Sequence, residues 1–283
     1  MAQKCTVPAV RDRKVSRGDD PLVMLTAYDA PGARMVDQAG VDMILVGDSV
    51  AMVVLGYEDT LQVTVEDIAH HTAAVARTHP SALIVADMPW MSYHVSVADT
   101  VRNAAMLIRA GAQAVKLEGG RRRIPMIEAL VAAEIPVMGH IGLTPQSMHA
   151  MGGYKVQGRD TAAALDLVDA AKALTHAGCF SIVLEGVPAL VAAMVTEAVE
   201  VSTIGIGAGP GCDGQVLVFH DVLGFEHRVL PKFVRRYADM FGVGVEALAE
   251  FASDVRSGEF PDVVESYRLD DGVADALGLY GAA

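Results

Sequence analysis

One pattern recurs along this chain and restricts its fold more than any other feature. A short apolar run ends in an acidic side chain. Ile44-Leu45-Val46-Gly47-Asp48-Ser49 carries it most fully, and Leu83-Ile84-Val85-Ala86-Asp87, Ala114-Val115-Lys116-Leu117-Glu118 and Ile182-Val183-Leu184-Glu185 repeat it. Runs of this length and composition read as parallel strands buried on both faces. Each would finish by presenting an ionisable group at its C-terminal end.

Four more runs complete the series. Strands are expected at residues 22–26, from 43, at 83–86, 114–117, 136–139, 181–184, 203–206 and 216–219. Helical segments separate most of them, at about 30–39, 65–77, 96–110, 125–133, 161–177 and 188–199. Asp29-Ala30-Pro31 carries an N-cap and an early proline, and Gly40, Gly111 and Gly178 close helices. Eight strands with intervening helices predict an α/β fold, a (β/α)8 TIM barrel. A doubly wound open sheet is the alternative, but it rarely spreads polar strand ends over so many strands. One domain is expected over 1–283, with an N-terminal arm at 1–20 and a C-terminal helical tail from about 229 that frays after about Asp270.

In a barrel the C-terminal strand ends converge on one face. Asp48, Asp87, Glu118, His140 and Glu185 would then surround one cavity, with Ser49 beside Asp48. Lys116 and Glu118 are two apart and leave their strand on the same side. Carboxylates this crowded repel one another unless a cation is present. An all-oxygen set without Cys or His pairs at zinc spacing suits Mg²⁺, with Asp48 and Asp87 as direct ligands and Glu118 direct or through water. A lone strand-end acid often only caps a helix; four together favour the metal. Lys116 pairs either with a substrate carboxylate or with Glu118. For His140, acid–base chemistry and core filling both stand. Glu185, approached by Val183-Leu184, is the candidate general base.

The composition excludes other classes. With a net charge of -13, no basic face is available to track nucleic-acid phosphates. No apolar run reaches the roughly 18 residues of a membrane span, and no secretory signal is read at the start. Cys5, Cys179 and Cys212 are odd in number and far apart, which suits a reduced, cytoplasmic setting. Residues 141–160 form a long Gly-rich loop expected to be functional or partly helical. Gly205-Ile206-Gly207-Ala208-Gly209 reads as a tight strand exit, His70-His71 as surface, Arg121-Arg122-Arg123 as a solvated turn, and Met35, Met43 and Met52 as core. His220-Asp221 either closes the eighth strand or joins the site.

Longer motifs add a resemblance. Thr26-Ala27-Tyr28-Asp29, Val46-Gly47-Asp48-Ser49, Ala86-Asp87-Met88-Pro89, Val115-Lys116-Leu117-Glu118-Gly119-Gly120, Gly139-His140-Ile141-Gly142-Leu143-Thr144-Pro145-Gln146-Ser147 and Gly152-Gly153-Tyr154-Lys155-Val156-Gln157-Gly158 occur in this order. Together with 204–209 they resemble the ketopantoate hydroxymethyltransferase family. That resemblance implies a phosphoenolpyruvate/pyruvate-type barrel, a homodecamer, and hydroxymethyl transfer from 5,10-methylenetetrahydrofolate to 3-methyl-2-oxobutanoate. It implies Mg²⁺ on Asp48 and Asp87 with Glu118 in or just beyond its coordination sphere. Ser49 and Lys116 would hold the keto acid, Glu185 would be the base, and His140 would line the site. A sister C–C lyase of the same barrel type, or a silent metabolite-binding barrel, are the competing readings.

Overall fold

A computed structural model describes residues 4–227 and 229–279. Residues 1–3 of the expected arm and 280–283 of the tail lie outside the described residues. Contacts divide the chain into two units: residues 4–222 with 229–235, and residues 223–227 with 236–279.

The first unit is a closed barrel of eight strands in sequence order. They are β1 (Leu22–Thr26), β2 (Met43–Val46), β3 (Leu83–Asp87), β4 (Ala114–Glu118), β5 (Val137–Gly142), β6 (Ser181–Glu185), β7 (Ser202–Ile206) and β8 (Gly214–Leu217). All neighbours pair in parallel, and β8 closes on β1 through Leu22↔Gly214. The pleat sends alternate side chains inward. The apolar interior is therefore built from Leu22, Met24, Met43, Leu45, Leu83, Val85, Ala114, Met138, Val183, Ile204 and Val216. Val10, from the arm helix Val7–Arg11, is fully buried in the same cluster.

This alternation positions the site. Asp87 follows Val85 by two residues, Lys116 and Glu118 follow Ala114 by two and four, His140 follows Met138, and Glu185 follows Val183. Each therefore continues an inward-facing column. In β2 the column Met43-Leu45 continues to Gly47. A Cβ there would meet Ser49 Oγ at 2.9 Å and Asp87 Oδ2 at 3.4 Å, so a side chain at 47 would crowd the Ser49 hydroxyl. Asp48 lies past the strand end.

Four of the barrel helices start at side-chain caps. Asp29 accepts from Gly32 N, Thr64 forms a capping box with Asp67, and Ser96 and Asp160 cap the helices Val97–Arg109 and Thr161–His176. Residues 141–160 are partly helical, with a 3₁₀ turn at Pro145–Ser147 and a short helix at Met148–Met151. At the exit of β7, Gly207 has φ +61°, and an added Cβ would meet Phe233 Cδ1 at 2.6 Å, which makes the turn tight.

Several expectations need correction. β8 begins at Gly214, two residues early, because a side chain there would strike Leu22 O at 2.6 Å. The apolar run ends in a helix, Phe219–Leu223, started by Phe219 N donating to Thr26 Oγ1. His220 and Asp221 are therefore helical. Met35 is exposed, while Met43 is buried. The tail is not helical from 229: its long helix, in the second unit, is Met240–Ser257, capped by Asp239 accepting from Gly242 N. The stretch expected to fray after Asp270 holds a helix, Asp271–Leu277. No helix among the described residues is long and apolar enough to cross a membrane.

Candidate active site

The strand ends bring six of the expected side chains into one connected cluster. Asp87 Oδ1 lies 2.8 Å from Lys116 Nζ. Asp87 Oδ2 accepts from Asp48 N at 2.9 Å, which ties the β2 turn to β3. Lys116 Nζ is 3.4 Å from His140 Nδ1. His140 stands between two carboxylates, with Nδ1 3.5 Å from Glu118 Oε1 and Nε2 3.3 Å from Glu185 Oε2. Ser49 Oγ is 2.8 Å from Tyr28 Oη, and the two hydroxyls share a hydrogen bond.

All but two of these groups are removed from solvent. Asp48, Asp87, Lys116, Glu118 and His140 are buried. Ser49 is half-buried, and the Glu185 side chain keeps 15 % exposure at the mouth. Four carboxylates thus face one ammonium and one imidazole in a low-dielectric pocket.

The titrations follow from that imbalance. Burial, then the Asp87 and Glu118 charges, push the Asp48 carboxyl well above the usual carboxylate range. Burial works against the Lys116 ammonium, but Asp87, Glu118 and Asp48 outweigh it and hold its pKa above the ordinary value. Burial also opposes the Glu118 charge; the His140 hydrogen bond and charge, Lys116 and the Gln146 N–H overcome it and bring Glu118 below its usual value. For His140, burial and Lys116 favour the neutral ring, yet Glu118 and Glu185 push it up to about 9. The two flanking carboxylates thus favour the protonated ring at neutral pH, with Nδ1 on the Glu118 side and Nε2 on the Glu185 side.

Two residues in this cluster carried no role in the sequence reading. Gln146 donates through its backbone N to Glu118 Oε2 at 3.0 Å and through Nε2 to Asp48 Oδ2 at 2.9 Å. Tyr93 Oη donates to Gln146 Oε1 at 2.6 Å and accepts from Glu118 N at 3.1 Å. Tyr28, quoted only within a motif, also belongs here through Ser49. The presence of Gln146 in Leu-Thr-Pro-Gln-Ser was a signal; Tyr93 had none.

Other expectations changed. His70 is exposed as expected, but His71 is half-buried: its Nδ1 donates to the Tyr28 carbonyl at 2.7 Å, so it supports Tyr28 from behind. The His220 ring lies 5.5 Å from that of Tyr28. Of the three arginines, Arg121 pairs with Asp166 on the surface, but Arg123 lies over the Tyr93 ring at 5.4 Å.

Among the described residues no three His, Cys, Asp or Glu side chains form a ready-made metal cluster. The carboxylate oxygens turn instead to Lys116, Gln146 and backbone N–H groups. The donor set still fits a hard divalent ion. It is all oxygen, Asp48 and Asp87 are linked at the β2 and β3 ends, and burial, then the neighbouring Asp87 and Glu118 charges, oppose an uncompensated Asp48 carboxylate. Mg²⁺ characteristically takes one or two carboxylates and fills its remaining positions with water and substrate.

Comparison with known proteins gives the family and the fold. A family model described as ketopantoate hydroxymethyltransferase matches residues 4–263. The 3-methyl-2-oxobutanoate hydroxymethyltransferase of Methylobacterium sp. (strain 4-46) is 57% identical over 256 residues, covering 90% of this chain and 89% of its own length. The 3-methyl-2-oxobutanoate hydroxymethyltransferase 2 of Bradyrhizobium diazoefficiens is 55% identical over 275 residues, covering 97% and 93%. Among solved structures, a phosphonopyruvate hydrolase superposes with a TM-score of 0.60 at 15% identity, over 96% of this chain and 93% of that one. A 2,3-dimethylmalate lyase described as a member of the PEP mutase/isocitrate lyase superfamily gives 0.56 at 17% identity, over 94% and 92%. These two share the barrel architecture. The chain belongs to the ketopantoate hydroxymethyltransferase family.

Proposed function

We propose that this chain transfers a hydroxymethyl group from 5,10-methylenetetrahydrofolate to 3-methyl-2-oxobutanoate, giving 2-dehydropantoate (ketopantoate) for pantothenate and coenzyme A synthesis. The observation that carries the reading is the cluster at the strand ends: four carboxylates around Lys116 and His140, with Glu185 alone among the acids reaching the solvent side.

Its residues divide the work as follows. Lys116, steadied by Asp87, and Ser49, steadied by Tyr28, bind the keto-acid carboxylate and keto oxygen. Asp48 and Asp87 would hold Mg²⁺, and Glu118, whose oxygens face Gln146 and His140, stands behind them. Bound Mg²⁺ would supply Lewis-acid stabilisation of the negative charge that develops on the keto oxygen. Glu185 takes the proton from C3 of the keto acid, and the cationic His140 ring fixes the carboxylate that does so. The resulting carbon nucleophile attacks the methylene carbon. The new C–C bond forms as one of the two folate C–N bonds breaks, and that nitrogen takes up the proton; water then replaces the second nitrogen, its OH completing the hydroxymethyl group and its remaining proton leaving on tetrahydrofolate.

Three free cysteines support a reducing, cytoplasmic setting. Partners are small molecules, a keto acid and a folate, with no role for nucleic acid or membrane. A homo-oligomer, a decamer by family resemblance, is supported within the second unit. The helix Met240–Ser257 buries none of its residues, and Val245, Leu248, Phe251 and Val255 recur at helical spacing on one exposed side. Sedimentation equilibrium reads that state.

The test is ketopantoate formation with and without folate and EDTA. With Glu185→Gln, exchange of the keto-acid C3 hydrogen with solvent is expected to fall by roughly 10²–10⁴-fold while keto-acid binding persists. Full exchange in that variant would remove Glu185 as the base.

A further inference from the structure

Gln146 is the most heavily committed side chain in the pocket, and none of its contacts is explained by the steps above. It sits in the 3₁₀ turn Pro145–Ser147 after β5 and is buried. Its backbone N reaches Glu118 Oε2 at 3.0 Å, while Nε2 reaches both Asp48 Oδ2 at 2.9 Å and Met88 O at 3.0 Å. Its Oε1 accepts from Tyr93 Oη at 2.6 Å. One residue thus joins the ends of β2, β3 and β4.

The amide orientation is decided by these partners. Tyr93 Oη already accepts from Glu118 N at 3.1 Å, so its single proton goes to Gln146 Oε1. A flipped amide would set Oε1 against the Asp48 carboxylate and the Met88 carbonyl, two acceptors with no proton between them. Tyr93 is held in turn: the Arg123 guanidinium lies over its ring at 5.4 Å, and the His94 ring packs against it at 4.2 Å between centroids. The chain of control runs from the Tyr93 hydroxyl to the Gln146 amide to the Asp48 carboxylate.

A carboxylate held by one oxygen cannot rotate freely, so fixing Asp48 Oδ2 also fixes the direction of Oδ1. We infer that Gln146, oriented by Tyr93, is a positioning residue that holds the Asp48 and Glu118 carboxylates in the rotation that lets the pocket take a divalent cation. This rests on the proposed role of Asp48 as an ion-holding group. Outer partners of metal-holding side chains typically change metal affinity by about 10–100-fold when removed.

The experiment measures cation binding directly, without turnover, on the full chain in the absence of substrate. Mn²⁺ is followed by electron paramagnetic resonance and Mg²⁺ by calorimetry, with melting temperatures recorded in EDTA. Gln146→Met keeps the volume and loses the amide; it is expected to weaken binding by roughly 10–100-fold. Tyr93→Phe keeps Gln146 but strips its Oε1 of the donor that steadies it, and roughly a three- to tenfold loss is expected. It also serves as the test if Gln146→Met does not fold. C3-hydrogen exchange lost in either variant should recover as Mg²⁺ is raised, which lost packing alone would not produce. Unchanged cation binding in both variants, alongside normal binding by the wild-type chain, would overturn the inference alone. A wild-type chain that binds neither ion would overturn the metal reading, and the inference with it.

Discussion

Two buried lysine–aspartate pairs sit at opposite ends of the same barrel and are finished to different standards. At the N-terminal end, Lys14 from the arm lies 2.7 Å from Asp213 Oδ2, just before β8. Its three donors all find acceptors, the other two being Thr196 O and Val201 O. Asp213 also accepts from Val15 N, Thr203 N and Thr203 Oγ1. At the C-terminal end, Lys116 and Asp87 pair at 2.8 Å, yet Asp87 Oδ1 has no aligned hydrogen bond, and neither does His140 Nε2. Three further carboxylates crowd the same space. Burial and an ion pair are common to both ends. What separates them is saturation: the first is closed, and the second leaves Asp87 Oδ1 and His140 Nε2 without hydrogen bonds.

That contrast predicts opposite responses to mutation. The largest effect is expected at the closed end. Lys14→Met leaves the Asp213 charge buried with no ammonium, which typically costs about 3–5 kcal/mol. Chemical denaturation should show that loss, with turnover of the folded fraction unchanged; a smaller loss accompanied by impaired turnover would erase the distinction. At the open end, Asp48→Asn should do the reverse. The raised Asp48 pKa means that its charged form works against the fold at neutral pH, so the neutral amide stabilises the metal-free chain by roughly 1 kcal/mol, about 2–4 °C in melting temperature. Ketopantoate formation should fall at least ~100-fold. A lower melting temperature in EDTA would show that the mouth is as structurally committed as the base.

The two ends also differ in how far they could be read in advance. The mouth was legible because the pleat imposes a period of two: once the strands are recognised, Asp87, Lys116, Glu118, His140 and Glu185 fall on inward columns. The base was not, since Lys14 and Asp213 are 199 positions apart and meet only when the arm closes the barrel floor. Gln146 and Tyr93 were missed for a related reason. They act from loops, where no periodicity fixes direction, and their role depends on contacts among the ends of three strands. β8 slipped by two residues because its first residue, Gly214, reads as loop in sequence but is required by the close approach of Leu22. The tail helix begins at Met240 rather than at about 229 because Asp239 caps it, a choice that apolar spacing alone does not make.

The smallest predicted effect tests whether the layer behind the mouth shares its strain. His94 packs on Tyr93, and its ring nitrogen Nδ1 is buried without a hydrogen-bond partner. Burial, then the Arg123 charge, lower its pKa from 6.5 to about 4, with Glu118 opposing. In the unfolded chain His94 takes up a proton near its ordinary pKa; in the fold it resists until about 4. Its contribution to stability is therefore complete above about pH 6.5 and is lost as pH falls toward 4. For a partly exposed ring the loss should be no more than about 1–2 kcal/mol after solvent screening. Denaturation midpoints at pH 7 and pH 4.5 should therefore draw closer together in His94→Asn than in the parent chain. An unchanged gap would mean that the acid sensitivity comes from elsewhere, and that the layer supporting Tyr93 is as relaxed as the Lys14–Asp213 floor.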